Sequence, residues 1–311
     1  MIPRQAIREP YCDTSYILAL DDGLAWCLVG NSETSAWLHQ LASIMTLRPG
    51  KSDGLRKISI VQCAEGIGHC QIPNPHPLLP KASALPHSGW RMHDLLALRV
   101  WSHPDVADMI CELLDIGHHD LAILAMQQAV FPFYQAGIGQ GGTPLHAALV
   151  EYDGKGILIA ASGGRGKSTC CRRVPKSWTV LCDDETLVVR SPSGTYHAHP
   201  FPTWSDYLFR RTKKTWNVQR STQLSAIFFL DQGESDDVAR IGQARAAARI
   251  NQSAGQVCGR MWRRLPNDVQ RDNNLKLFSN SCGLAKAVPA FTLHASLTGR
   301  FWEGIEKVLA R

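Results

Sequence analysis

The chain has 311 residues, of which 44% are hydrophobic and 19% are charged, and its formal net charge at pH 7 is +6. This composition is typical of a globular protein with a sizeable core, divided into two domains. The charge is too small to indicate a nucleic-acid-binding protein, and it is compatible with a nucleotide or an acidic peptide as ligand.

The sequence also indicates where in the cell the protein is located. Residues 1–16 contain no apolar signal core, and no apolar run is long enough to span a membrane. The ten cysteines follow no regular framework and several lie in apolar runs, which indicates reduced thiols. We therefore predict a cytoplasmic protein that spans no membrane.

The N-terminal region predicts a small α/β unit. Two apolar runs, residues 15–20 and 24–29, flank an Asp-Asp-Gly turn, which is typical of a hairpin. Residues 32–45 predict a helix with an apolar stripe, and Ser32 is placed to cap it. Residues 58–61 predict a short strand.

The next segment raises the alternative of a zinc site at Cys63, His69, Cys70 and His76. Structural zinc ligands are usually two to four residues apart in pairs, and this spacing fits no standard pairing, so we predict no zinc site. Residues 72–89 contain five prolines and predict an irregular loop or linker.

Three elements are predicted before the second domain. Residues 90–101 predict sheet, residues 105–114 a short helix and residues 119–130 a second helix. Residues 137–142 match G-x-G-x-x-G, but they follow a helix and precede a strand, the reverse of the order in a dinucleotide-binding loop. We interpret them as a flexible connection into the next domain.

Residues 145–190 are the most informative stretch. Residues 149–152 and 157–161 are apolar runs on either side of an Asp-Gly turn, which predicts a hairpin whose second strand is buried. A glycine-rich segment follows it directly. Each member of that segment is a candidate nucleotide ligand: Ser162, Gly163, Gly164, Arg165, Gly166, Lys167, Ser168 and Thr169.

This segment predicts a phosphate-binding loop. Its glycines let backbone N–H groups converge on an anion, and the helix that starts near Lys167 directs its N-terminus there. Lys167 would reach the outer phosphates, and the Ser168 hydroxyl would bind Mg²⁺. Ala161 stands where the usual pattern has its first glycine, so a glycine-rich turn before an ordinary helix is the alternative.

Two aspartates, Asp183 and Asp184, follow a predicted strand at residues 179–182, and residues 187–189 continue as strand. Carboxylates at a strand end beside a phosphate loop suit two tasks, holding Mg²⁺ and accepting a proton from an attacking hydroxyl. The alternative is a solvated acidic turn. The short separation from the loop favours a functional site.

Residues 145–190 resemble the catalytic core of the HPr kinase/phosphorylase family, which carries a Leu-His-Gly-x-x-Val strand, a phosphate loop and a Val-Ala-Asp-Asp segment. Residues 145–206 are similar to the HPr-kinase-like component of the SynChlorMet cassette, which accompanies radical-SAM enzymes and a small peptide. Similar kinases modify serines on lasso-peptide precursors. The resemblance covers about the last half of the chain.

The resemblance implies a fold and a domain division. Residues 136–311 would form an α/β P-loop domain of the phosphoenolpyruvate carboxykinase/HPr-kinase-like type. Residues 1–135 would form a smaller α+β N-terminal domain of unknown role.

The resemblance also implies residue roles. His146 would lie near the transferred phosphate, and Lys167 would bind that phosphate. Ser168 and Asp183 would bind Mg²⁺. One of Asp183 and Asp184 would be the catalytic base, and we favour Asp184.

The activity implied is an ATP- and Mg²⁺-dependent kinase that phosphorylates a Ser or Thr hydroxyl on a ribosomally synthesised precursor peptide or small protein. Partners would be peptide-modifying enzymes of the cassette and a homo-oligomer, since related kinases form hexamers. Thr169 replaces the family's Glu, and the downstream signature loop for HPr is not found, so HPr is not the predicted substrate. The alternatives are a small-molecule kinase for free serine or a similar compound, and a nucleotide-binding scaffold without turnover.

Residues 196–206 mix histidines, aromatics and prolines, which suits either a substrate-contacting loop or an aromatic packing corner. Trp204, Asp206 and Arg210 are the candidate substrate contacts. Arg210 begins a basic run that would hold phosphates or an acidic peptide, or would form a solvated face. The remaining predicted elements are strands at residues 224–230 and 290–295 and helices at residues 241–257, part of 268–284, and 301–309.

Overall fold

The computed structural model describes residues 14–51, 54–63 and 89–310. The described residues divide into two compact units. The first lies within Met1–Ala19, Leu24–Pro132 and Trp204–Thr215, and the second within Leu20–Gly23, Phe133–Thr203 and Trp216–Arg311. The zinc candidates His69, Cys70 and His76, and nearly all of the predicted proline-rich loop, lie outside the described residues.

Both units combine a mixed sheet with helices, which confirms the predicted mixture of α and β structure. The strands are β1 (Thr14–Ala19), β2 (Ala25–Gly30), β3 (Arg48–Pro49), β4 (Arg56–Gln62), β5 (Arg91–Asp94), β6 (Leu98–His103), β7 (Val106–Leu113), β8 (Thr143–Leu145), β9 (Ala147–Tyr152), β10 (Lys155–Ala160), β11 (Thr179–Cys182), β12 (Glu185–Arg190), β13 (Tyr196–Phe201), β14 (Thr222–Gln232), β15 (Asp237–Arg240) and β16 (Ala290–Ala295). The helices are α1 (Ser35–Met45), α2 (His119–Gln128), α3 (Phe131–Gly139), α4 (Lys167–Arg173), α5 (Trp204–Leu208), α6 (Gln243–Trp262), α7 (Asn267–Ala287) and α8 (Phe301–Leu309).

The first unit contains a sheet with the order β3-β1-β2-β4-β7-β6-β5. The pairs β2–β4 and β4–β7 are parallel, and β1–β2 is the predicted hairpin. Helix α1 buries Trp37, whose indole N–H donates to the Ala122 carbonyl oxygen of α2 at 3.1 Å. The predicted cap is wrong, because α1 begins after Thr34 rather than at Ser32.

The helix predicted over residues 105–114 is wrong, because this segment forms strand β7. Its apolar residues recur at helical spacing, but from Ile110 onward every residue of the strand is buried. The strand pairs with β4 on one edge and β6 on the other, and the burial of four consecutive residues shows that both of its faces are covered there. A strand buried on both faces loses the alternation that distinguishes it from a helix.

The second unit is built on a sheet with the order β11-β9-β10-β14-β13-β12-β8, and β16 pairs with β14 and β15. The predicted β9–β10 hairpin is confirmed, and β10 runs parallel to β14. The Phe228 and Phe291 rings stack in the core with their centroids 5.1 Å apart. This sheet sets the ends of β10, β11 and β14 around the glycine-rich loop.

Gly137 and Gly142 are buried, which corrects the prediction of a flexible connection over residues 137–142. Gly137 and Gly139 lie within α3. A Cβ added to Gly142 would lie 2.6 Å from the Val188 carbonyl oxygen of β12. Glycine is needed here because two backbone segments approach each other closely.

One helical stretch among the described residues, His119–Gly139, is long and apolar enough to cross a membrane by length and composition. It consists of α2 and α3, and 67% of its apolar window is buried inside the structure, as in the core helices of many proteins. Among the cysteines within the described residues, Cys111, Cys170, Cys182, Cys258 and Cys282 are free thiols. The cytoplasmic location stays a prediction.

Candidate functional site

The glycine-rich loop joins β10 to α4 and presents an open face. Gly164 (φ 76°) and Gly166 (φ 100°) take left-handed backbone conformations that favour glycine. A Cβ added at Gly163 or Gly164 would meet no atom within 4 Å, and residues 162–165 are exposed. The loop therefore leaves room for a ligand beside its backbone.

Helix α4 follows the loop and is held at its far end by Arg173. The Arg173 guanidinium group donates hydrogen bonds to the carbonyl oxygens of Ser296 (2.6 Å) and Gly299, and it lies 5.4 Å from the centre of the Phe301 ring. The helix ends there because Val174, which precedes Pro175, has an extended backbone (ψ 145°). Arg173 thus fixes the short helix that carries Lys167.

Lys167 is the buried cation of the site, with 6% of its surface exposed. Its ammonium group donates to the Ala161 carbonyl oxygen at 2.9 Å and to His146 Nε2 at 2.7 Å. Burial lowers the pKa of Lys167, and the nearby charges of Asp184 and Asp183 oppose that shift. The two contacts hold the ammonium group at the base of the loop.

His146 lies between β8 and β9 and joins Lys167 to Asp184. Its Nδ1 atom is 3.3 Å from Asp184 Oδ1. Burial, followed by the charges of Lys167 and Arg260, lowers the pKa of His146 to about 4. The ring is therefore neutral at pH 7, and the tautomer that donates from Nδ1 and accepts at Nε2 satisfies both contacts.

The two predicted acids lie in the turn between β11 and β12. Burial raises the pKa of Asp184, and the Lys167 charge opposes this. Asp183 instead accepts a hydrogen bond at Oδ1 from the Thr203 hydroxyl, at 3.0 Å. The structure thus brings together His146, Lys167 and Asp184, with Asp183 next to them in the same turn.

A polar cavity of about 190 Å³ adjoins the loop. Asp231, in β14, lines it and accepts hydrogen bonds from Arg249 of α6 at 3.1 and 3.2 Å. Asp231 is not among the residues predicted from the sequence, although an acid directly after the apolar run at residues 227–230 could have indicated it. Arg249 and Arg260 on α6 were missed because no local pattern marks them.

The candidate substrate contacts Trp204, Asp206 and Arg210 belong to the first unit, whereas the loop belongs to the second. Trp204 is 2% exposed, so it packs as a core residue. Of the two alternatives for residues 196–206, the substrate-contacting loop does not fit the first half, because Tyr196–Phe201 is strand β13. Within that strand Tyr196, His199 and Phe201 are buried, as the packing alternative predicts, whereas His197 is partly exposed.

Glu185, next to Asp184, is expected to make the stability of the fold depend on pH. It is buried, Tyr134 donates to its Oε2 atom at 3.0 Å, and burial raises its pKa from 4.5 to about 7. Because the folded state holds this proton more tightly than the unfolded chain, stability falls as pH rises from about 4.5 to about 7 and then levels off. The glutamine in Glu185→Gln cannot ionise, so this variant does not lose stability in that way as the pH rises.

The free energy of unfolding of Glu185→Gln, relative to the unaltered protein, should therefore increase by roughly 3 kcal/mol between pH 4.5 and pH 8. Urea denaturation at a series of pH values measures this difference. Glu306→Gln, at a carboxylate whose contact is with Trp178 near the surface, serves as a control. If the free energies of unfolding of the two variants depend on pH in the same way, the raised pKa of Glu185 is not the cause.

The comparisons with known proteins concern the same part of the chain. The model of the family described as SynChlorMet cassette protein ScmC matches residues 109–310, which is more than half of the chain and includes the whole site. No curated protein matches the chain.

Proposed function

Because the chain belongs to the SynChlorMet cassette protein ScmC family, we propose that it is a kinase that transfers a phosphoryl group from ATP to a Ser or Thr hydroxyl of the cassette's peptide. The observation that carries this proposal is the buried ammonium group of Lys167. It is held by Ala161 and His146 at the base of an open glycine loop, and His146 is in turn paired with Asp184.

The loop and Lys167 would bind the phosphates. The backbone N–H groups of residues 163–166 lie in an open loop whose left-handed glycines suit an anion, and those of Lys167 and Ser168 follow in the first turn of α4. Within the part of the chain that the structure describes, Ala161 and His146 use two of the three N–H bonds of the Lys167 ammonium group. The third N–H bond would serve a phosphate oxygen.

Magnesium would be held by Ser168 and Asp183. The described residues contain no group of three or more His, Cys, Asp or Glu side chains placed to hold a metal ion. A hydroxyl and one carboxylate fit Mg²⁺, which usually takes one or two protein ligands and completes its shell with phosphate oxygens and water. When bound, the ion would neutralise charge on the phosphates.

Asp184 would act as the base. As the acceptor oxygen bonds to the transferred phosphorus and the bond to the ADP oxygen breaks, the hydroxyl proton would pass to the Asp184 carboxylate. Burial raises the pKa of Asp184, which strengthens it as a proton acceptor. Neutral His146 would orient Asp184 through Nδ1 and accept a hydrogen bond from Lys167 at Nε2.

The test is incubation of the purified chain with Mg²⁺, ATP and the cassette's peptide. The expected result is ADP formation that depends on the peptide, together with a peptide mass increase of one phosphoryl group. ADP formation with free serine at an equal rate would favour the small-molecule kinase. Tight ATP binding without ADP formation would contradict the proposal and favour the scaffold.

A further inference from the structure

A basic groove in the first unit takes no part in the proposed chemistry. It encloses about 700 Å³ between α1, α2 and the segment that follows α5. Its charged or titratable lining residues, apart from Tyr207, are all basic: His39, His119, Arg210, Arg211 and Lys213. The described residues that line the groove include no Asp or Glu, so its field favours an anion.

A second groove of about 670 Å³ continues from the first along α1. The two share Ala36 and His39, and the second adds Lys51 to the cationic lining. Its described lining residues also include no acid. The combined surface is far larger than a single phosphate group and suits an extended segment of chain.

Arg210 occupies a backbone position that normally belongs to glycine. Its φ angle is +56°, and it follows α5 in a Schellman motif. In this motif the Arg210 N–H donates to the Tyr207 carbonyl oxygen at 3.0 Å, and the Arg211 N–H donates to that of Asp206 at 2.7 Å. A non-glycine residue is strained here, so the backbone alone does not account for the arginine.

The basic segment, residues 210–214, is held in place at several points. His119 contacts the Tyr207 carbonyl oxygen at 3.2 Å, and the Tyr207 hydroxyl donates to the carbonyl oxygen of Lys214. The Arg211 guanidinium group lies 4.9 Å from the centre of the exposed Phe209 ring. These contacts hold the backbone of the segment and the Arg211 side chain, which therefore lose less entropy when an anionic ligand binds.

We propose that this groove binds an acidic segment of a peptide. The groove's neutral lining, which includes Gln40, Ser43 and Thr212, can donate to and accept from peptide backbone groups. Binding of single-stranded nucleic acid relies on aromatic platforms for base stacking, and Arg211 already covers Phe209, the one exposed large aromatic side chain among the described residues of the first unit. This inference goes beyond the proposed phosphoryl transfer and does not depend on it.

The test measures fluorescence anisotropy of a labelled oligoglutamate peptide with the full chain, without nucleotide or magnesium. The expected result is binding at least about tenfold tighter than that of an oligoglutamine peptide of equal length, with affinity that falls as salt is added. Arg210→Gly should weaken oligoglutamate binding about tenfold. The same variant should keep or raise the melting temperature, since glycine relieves the left-handed backbone.

Arg91→Ala is the matched control, because Arg91 is an exposed arginine of the same unit that lies outside both grooves. It should leave the affinity unchanged. Equal oligoglutamate affinities for Arg210→Gly and the unaltered chain would overturn the proposal. Displacement of the peptide by a much lower concentration of an oligonucleotide of equal charge would overturn it in favour of nucleic acid.

Discussion

Replacing Lys167 with alanine is expected to lower the rate of peptide-dependent ADP formation by at least about a thousandfold, or roughly 4 kcal/mol of transition-state stabilisation. The ammonium group is buried, so its attraction for a phosphate oxygen is screened less than that of a surface lysine. Its loss also leaves His146 Nε2 without its donor. Steady-state ADP release with saturating peptide measures the effect.

Lys176→Ala is the control for Lys167→Ala. Lys176 is an exposed lysine nine positions later in the chain, so its removal changes the net charge equally without touching the loop. Lys167→Met fills the space of the side chain and separates the loss of charge from the creation of a cavity. If Lys167→Met folds normally and turns over at the unaltered rate, the phosphate loop is not the site of transfer.

Replacing Asp184 with asparagine is expected to reduce turnover by about 10²- to 10⁴-fold while ATP binding is retained. Asparagine keeps the size of the side chain but cannot accept the hydroxyl proton. It also removes the negative charge that faces His146 Nδ1 at 3.3 Å. Single-turnover phosphorylation of the peptide, with nucleotide affinity measured separately by calorimetry, distinguishes a chemical defect from a binding defect.

Asp183→Asn separates the two acids of this turn. Its proposed role is to hold Mg²⁺, so the variant should need more Mg²⁺ for half-maximal rate and should recover as Mg²⁺ is raised. Asp184→Asn should not recover with added Mg²⁺. Recovery of Asp184→Asn alone would show that the roles of the two aspartates are exchanged.

The parts of the site that lie close in sequence could be predicted from local pattern. The hairpin β9–β10, the glycines that take left-handed conformations and the lysine after them form one continuous segment, and hydrophobic periodicity with turn residues indicates such a segment. The acids after β11 could also be predicted from local pattern, because a carboxylate at the end of a strand interrupts an apolar run. The sheet brings His146, Lys167 and Asp184 together, and no local pattern indicates that contact. Only the family resemblance predicted that His146 would lie near the transferred phosphate.

The features that could not be predicted depend on tertiary structure. Strand β7 was predicted as a helix because burial on both faces erased its alternation. The ion pair of Asp231 and Arg249 joins β14 to α6, and each residue alone looks like an ordinary polar side chain. The left-handed conformation of Arg210 is hidden because the glycine that usually marks such a position is absent.

The anchoring of α4 by Arg173 bears on how the chain matures during synthesis. The carbonyl groups that accept its hydrogen bonds come from Ser296 and Gly299, 123 and 126 positions further along. On a translating ribosome, the lysine of the loop therefore emerges long before the atoms that steady its helix. The nascent segment completes this arrangement only once Gly299 has left the exit tunnel.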